Sequence, residues 1–428
     1  MRTTRLIAAT ALALSLAVSG CVATPPPQAG RPGPQSAPPM PKTAPGVTDT
    51  EIKIGVLYPD AAAISAFVQM GDEDFEGMYR ALIDRINARG GVNGRRIVPV
   101  FVANNPVGTA PAQEACVRLT EDQKVFAAIG FFVFEQTMCY VETHRTAVIG
   151  GPLTEKMYAR AHAPWFSTSR GGDEAAAAVE ALAAAGLLAG HKVAVVSAAV
   201  DQQIRDDVVV PALERAGVHP VATAVMDPAS FDTAAVDAQS GIVAQRLRAS
   251  GADVVIPVGS AVTVLTEAIA ATGWRPRMMY LDWQIGAYDA NHSDASVFDN
   301  AVIAGGSVDW DEATYKECAD SVTQALHAKN AQAHPGGDPD AGAPSPSSIQ
   351  GACADLSLFT AIATKAGRGL DYATFQDAGF ALGAFTVPGG NGPTVYGPGK
   401  PAGSGGRTQL WTYDPAQGSL VAYGAGKG

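Results

Sequence analysis

From residue 51 the chain alternates short, nearly continuous apolar runs with longer segments whose apolar positions recur every three to four residues. The run "EIKIGVLYP" at 51–59 predicts a strand. The segment "DFEGMYRALIDRINARG" that begins at Asp74 predicts a helix with Phe75, Met78, Leu82 and Ile86 on one face. The acidic run Asp72, Glu73, Asp74 and Glu76 sits at that helix's start, where negative charge suits the dipole, and its spacing is not that of a calcium loop. Further strands are expected at "RRIVPVFVAN", "VFAAIGFF", "TAVIGG", "KVAVVSAA", "ADVVIPVG" and "RMMYLD". Helical segments such as "APAQEACVRLTE", "VVVPALERAG" and "AVTVLTEAIAATG" separate them. Apolar strands without alternation, set between helices, imply parallel sheets covered on both faces. The units are too many for one small sheet, so the pattern predicts an α/β fold of two Rossmann-like lobes. The stretch 330–348, "NAQAHPGGDPDAGAPSPSS", has loop composition, glycine and proline dominate 388–406, and "RTQLWTYDPAQGSLVAY" reads as a closing β-hairpin.

The first fifty residues follow another pattern. Arg2 and Arg5 precede "LIAATALALSLAV", an apolar stretch of signal-peptide length and too short for a comfortable membrane span. The ending "VSGC" resembles the lipobox of bacterial lipoproteins, which implies removal of residues 1–20 and lipidation of Cys21. An ordinary secreted protein with a cysteine near its cleavage site is the plainer alternative. Residues 21–46 then carry the lipidated cysteine and a proline-rich tether. At ~3.1 Å per residue, about 25 residues reach roughly 75 Å. "AAAAVEALAAAGLLAG" carries Glu180 and reads as an amphipathic helix rather than a span.

Composition narrows the partners. Without residues 1–20 the chain has 28 basic against 41 acidic residues, a net charge of −13. No basic stripe is present to meet phosphates, so no nucleic-acid partner is expected. Besides Cys21 there are Cys116, Cys139, Cys318 and Cys353. Four cysteines in an exported chain suggest two disulfides with three possible connectivities, of which the sequential one keeps each pair short-range and within one lobe. No G-x-S-x-G elbow, P-loop or H-E-x-x-H is present, and the seven histidines show no ligand-like spacing. "GPGKPAG" follows no strand and opens no helix. Neither an enzyme activity nor a cofactor or metal is expected.

Two stretches, "GVTDTEIKIGVLYP" at 46–59 and "INARGGVNGRRI" at 86–97, resemble the opening of the type I periplasmic solute-binding proteins, among them the branched-chain amino-acid binding proteins of ABC importers. Weaker similarity runs through "APWFSTSRGGDEAAAAVEAL", "GADVVIPVGS" and "GWRPRMMYLD". The spacing of Cys116 and Cys139 is also similar to a disulfide of that family. The resemblance implies two lobes joined by hinge strands, closing on a ligand like a flytrap. Crossings are then expected near 167–170, 300–308 and 384–388. Lobe 1 would be 47–168 plus 305–385, and lobe 2 would be 169–304 plus 386–428. It further implies a small-molecule ligand, ABC permease subunits as partners and a monomer. The location would be the periplasm or the outer face of the cytoplasmic membrane.

Ligands of open α/β sheets bind beyond the carboxyl ends of the strands. That places Tyr58, Phe131, Phe132, Gly150 and Gly151 of lobe 1 at the site, with Asp201, Gln202, Ser260, Asp282 and Trp283 of lobe 2. The family's amino-acid binders usually carry small hydroxyl residues where this chain has "FFVF", and a tyrosine before a glycine where it has "QQIRDD". Where they place an acid for the ligand's amino group, "LDWQIG" puts Trp283, with Asp282 adjacent. These departures imply a more apolar or aromatic-lined site, suited to an amino-acid-like, amide or aromatic solute. The plainer readings are that Phe132 and Phe134 are core residues and that Asp201 and Asp282 cap helices. Arg170 and Arg205 are possible anion clamps, with a solvated surface role the plainer reading for each. Delivery to an importer is the leading function; a ligand-sensing subunit of a membrane receptor is the second.

Overall fold

The computed structural model describes residues 40–424 except 65–72, 106–109, 133–134, 169–171, 228–231, 260–263, 293, 307, 327–342, 391, 401, 403–407 and 415–418. Cys21, Phe134, Arg170 and Ser260 lie outside the described residues. Among the described residues, no helix is long and apolar enough to cross a membrane.

Five strands build the first sheet: β1 (Glu51–Pro59), β2 (Arg96–Asn104), β3 (Ala127–Gly130), β4 (Ala147–Gly150) and β5 (Trp165–Phe166). All pair in parallel, in the order β2-β1-β3-β4-β5. The second sheet begins with β6 (Val193–Ala198), β7 (Ala222–Met226), β8 (Val254–Val258), β9 (Arg277–Tyr280) and β10 (Val302–Gly305), again parallel. A short ribbon, β11 (Ala384–Phe385) with β12 (Thr394–Val395), follows. The hairpin β13 (Gln409–Asp414) and β14 (Ser419–Ala422) then adds antiparallel to β10, giving the order β14-β13-β10-β9-β8-β6-β7. The expected two-lobed α/β fold is present.

Burial explains the strand sequences. Every residue of β6 and β8 is buried, so "VAVVSA" and "VVIPV" need no alternation. Edge strand β2 stays partly accessible and tolerates Pro99. Pro257 lies in an interior strand, but β9 pairs with β8 only at Val254 and Val255, so the proline lies past that pairing.

After β10 the chain returns to the first sheet. Helices Ala313–Leu326, Pro346–Ala366 and Tyr372–Phe380 share a core with Phe75–Ala88, built on Phe126, Phe166, Phe359 and Phe375. The helix at 346 starts inside the stretch read as loop, because Ser345 caps it by accepting from Ser348 N (3.2 Å) and Pro346 suits a first turn. The cysteines pair sequentially, Cys116–Cys139 and Cys318–Cys353, with sequence separations of 23 and 35. Closing the shorter loop stabilises the fold by roughly 3 kcal/mol in the chain-entropy account.

Candidate functional site

The carboxyl edges of the two sheets meet at an ion pair. Lys156, in the turn of helix after β4, donates to Asp207 Oδ1 (2.8 Å) on the helical segment after β6. The loops leaving the strand ends of both sheets therefore face one another here.

On the first edge, Tyr58 turns toward its own lobe. Its hydroxyl donates to Glu76 Oε1 (2.8 Å), its ring stacks on Phe75, and burial followed by the Glu76 hydrogen bond pushes its pKa up to about 12. Asn104 ties the strand ends together, donating to Phe131 O (3.1 Å) while its own carbonyl accepts from Asp60 N. Phe131 stays half-buried. Phe132 is 4% exposed and meets Tyr140 edge-on within the core, in line with the plainer reading of it. Gly151 permits this, since a Cβ there would fall 3.1 Å from Phe132 Cβ.

Gly150 closes β4 at φ +102°, and above it lies an acid that the sequence reading missed. Asp355, from helix Pro346–Ala366, places Oδ2 where a Cβ on Gly150 would come within 2.9 Å. Its Oδ1 accepts from Thr168 Oγ1 (2.9 Å), just past β5, in the first expected crossing. Asp355 is 6% exposed, and burial raises its pKa to about 7 against the opposing effect of Thr168. Tyr79 and Tyr396 lie close enough to feel its charge. Tyr396 also donates to Ser167 O (3.1 Å), so the chain just beyond β12 is fastened to the residue that follows β5.

The second edge repeats this arrangement. Gly259, after β8, has φ +84°, and a Cβ there would fall 2.0 Å from Asp201 Oδ2. Asp201 occupies the cap position of helix Gln202–Ile204, yet its side chain makes no capping hydrogen bond. Desolvation raises its pKa to about 7. Asp282 does cap, with Oδ1 accepting from Ile285 N (2.9 Å), and burial raises its pKa too. Gln202 is exposed and donates to Asp206 (3.3 Å). Arg205 overturns its surface reading. It is 5% exposed, gripping its neighbour Asp206 through Nε (2.7 Å) and Ala224 O through Nη1 (2.7 Å). The guanidinium is consumed in fixing the helix to β7.

Trp283 is half-buried, its indole nitrogen is buried without a partner, and its backbone presses on Gly305. Its ring lies 6.5 Å from both Trp411 of β13 and Trp310, and Trp310 meets Tyr315 of the first lobe's core. An aromatic chain thus runs from Trp411 in the second sheet through Trp283 and Trp310 to Tyr315, which packs with the helices over the first sheet. Glu73, read as a dipole charge for the helix at 75, is half-buried at the start of helix Pro346–Ala366 and accepts from Ser345 N (3.1 Å). The one metal-like grouping among the described residues, Cys116, Cys139 and His144, has its sulfurs in a disulfide. Asp355, Thr168 and Trp310 escaped the sequence reading. A signal for Asp355 was present: it interrupts the apolar face made by Ala352, Leu356 and Phe359.

The profile of the periplasmic binding protein family matches residues 51–405. No curated protein is a sequence match. Among solved structures, a type 1 periplasmic binding protein from Bordetella pertussis Tohama I is 14% identical at a TM-score of 0.64, covering 87% of this chain and 99% of its own. A fatty acid ABC transporter substrate-binding protein from Thermomonospora curvata is 16% identical at 0.61, covering 89% and 93%. The branched-chain amino acid transporter substrate-binding protein LivJ from Streptococcus pneumoniae, in complex with isoleucine, is 15% identical at 0.59, covering 87% and 98%. At these identities the likeness is one of fold.

Proposed function

The chain belongs to the periplasmic binding protein family, and on that premise we propose that it is an exported lipoprotein, anchored through Cys21, that captures a small solute for an ABC importer. The solute is held between the carboxyl edges of the two sheets, in a cleft with residues 47–168 and 305–385 on one side and residues 169–304 and 386–428 on the other. The observation that carries this reading is the apposition of those edges at Lys156 and Asp207, with glycines at the strand ends that leave room above the backbone. The solved neighbours named for amino-acid and fatty-acid binding support a solute with an apolar body. Phe131 and Trp283 supply the apolar wall, and the unpartnered indole N–H of Trp283 is a hydrogen-bond donor held ready for the solute.

Capture is reversible because the lobes pay no covalent step: the ligand selects the closed arrangement by binding both edges at once, and a permease reads that arrangement. A monomer suffices for this. The proline-rich tether keeps the folded part clear of the bilayer but within reach of the permease.

A thermal-shift screen of the purified full chain tests the reading, against amino acids, amides, fatty acids, aromatic acids, amines, sugars and nucleosides. A specific solute at 100 times its Kd adds about 2.7 kcal/mol to stability and raises Tm visibly. Silence across all these classes overturns solute capture.

A further inference from the structure

Each apposed edge carries a desolvated aspartate set over a left-handed glycine. In the first lobe the pair is Asp355 over Gly150, and in the second it is Asp201 over Gly259. Among the described residues no cation stands against either acid: Asp355 is met by the neutral hydroxyl of Thr168, and the rise in Asp201's pKa has desolvation as its cause. A carboxyl group drawn out of water without a positive partner is costly to ionise, more so for buried Asp355 than for half-buried Asp201, and such groups concentrate where a ligand supplies the missing charge.

A purely structural role fits both residues poorly. Asp201 sits at a helix start and does not cap it, whereas Asp282 at the corresponding place after β9 does. Among the described residues Asp355 makes one side-chain hydrogen bond, to a hydroxyl that an amide would serve equally well without burying an ionisable group. Both glycines are called for by their left-handed backbone, and the space left by the missing Cβ is where each acid sits. A side chain at 150 or 259 would also collide with the carboxylate, so each acid is seated close over the backbone at its strand end.

We propose that the captured solute is an organic cation, and that Asp201 and Asp355 receive its positive charge, one from each lobe. This rests on the solute-capture reading above and names the charge of the ligand at that same site. Closure then has an electrostatic component: the cation is attractive to both edges and bridges them, while Phe131 and Trp283 cover its apolar body. Binding also restores the ionised form of both acids, so it releases protons near neutral pH. The titratable groups beside Asp355 are Tyr79 and Tyr396, whose hydroxyls are both shifted further upward and stay neutral in that range.

The test uses matched probes with the full chain: phenethylamine against 2-phenylethanol, L-leucinamide against 4-methylpentanamide, choline against 3,3-dimethylbutan-1-ol, and putrescine against butane-1,4-diol. At least one cation should raise Tm where its neutral counterpart does not. Calorimetry with that cation should show affinity rising between pH 6 and pH 8, and falling more than tenfold in Asp355→Asn and in Asp201→Asn. Thr168→Val keeps both carboxyl groups and should keep the preference for charge. The proposal is overturned if the neutral member of each pair shifts Tm as much as the cation, or if both Asn variants bind like the parent. Should those variants fail to melt cooperatively, a parent affinity that is flat from pH 6 to pH 8 overturns it. Stabilisation confined to anions or neutral compounds in the broad screen removes the charge assignment and leaves solute capture standing. Silence in both screens removes solute capture itself, and this proposal with it.

Discussion

Asp289 and Asp355 are both buried carboxyl groups on long-range helices, both raised by desolvation to about 7, and they do different work. Asp289 faces the core of the second lobe and accepts from two hydroxyls, Tyr280 (2.7 Å) and Thr266 (2.9 Å), which belong to β9 and to helix Val264–Ala271. It clamps three elements together. Asp355 accepts from one hydroxyl among the described residues, at a strand end, over a left-handed glycine whose missing Cβ leaves room for the carboxylate. The comparison shows that burial and a shifted pKa do not by themselves mark a site. What separates the two is place: Asp289 takes both hydroxyls on Oδ2 inside a packed core, with Oδ1 buried and unpartnered, whereas Asp355 lies at a strand end beside Thr168.

The largest effect that sharpens this contrast is on stability. Asp289→Ala leaves two buried hydroxyls without their acceptor and should cost about 3 kcal/mol, read as a fall in the denaturation midpoint. Asp355→Ala should cost about 1 kcal/mol, since only Thr168 is stranded. Equal losses would remove the distinction.

Next come the glycines. Gly150→Ala and Gly259→Ala force a left-handed residue and a clash with the carboxylate, and each should cost about 2–3 kcal/mol by thermal melting. Gly186 has φ +71° with nothing within 4 Å of its Cβ direction, so Gly186→Ala should cost about 1 kcal/mol.

A smaller effect follows pH. For Asp201, Asp289 and Asp355 the folded pKa lies above the unfolded one, so between about pH 4 and 7 the folded state binds more protons. Stability should therefore fall as pH rises through that window, by at least about 1 kcal/mol, and should flatten above it. Asp289→Asn and Asp355→Asn should each remove part of the slope. A midpoint that climbs from pH 5 to pH 7 would contradict the assignment. The smallest effect is at Lys156–Asp207: Lys156 is exposed, so Lys156→Ala should cost less than about 1 kcal/mol, and less still in high salt.

Much of the fold was legible because its strands are covered on both faces and so betray themselves as unbroken apolar runs, as in "VAVVSA". The disulfide pairing followed from chain proximity. The site was legible only in part. Strand ends named Asp201 and Trp283 as candidates, because topology puts loops there. For Phe132 the plainer core reading fits the structure, since the ring packs edge-on against Tyr140 in the core, a contact that spacing alone does not report. Asp355 reaches the first edge from a helix about 200 residues beyond β4, so no local pattern connects it to Gly150. Arg205 was misjudged for a similar reason, its carbonyl partner Ala224 lying on the neighbouring strand.

The central claim is that a solute is held between the two edges, and Trp283 stands at the seam. Titrating the full chain with the best-stabilising compound while following tryptophan fluorescence tests this most directly. The account predicts a saturable change fitting one site per chain, which is lost in Trp283→Phe while binding by calorimetry persists. A saturable change that survives in Trp283→Phe, or calorimetric binding with no fluorescence change at all, would place the solute elsewhere and contradict it.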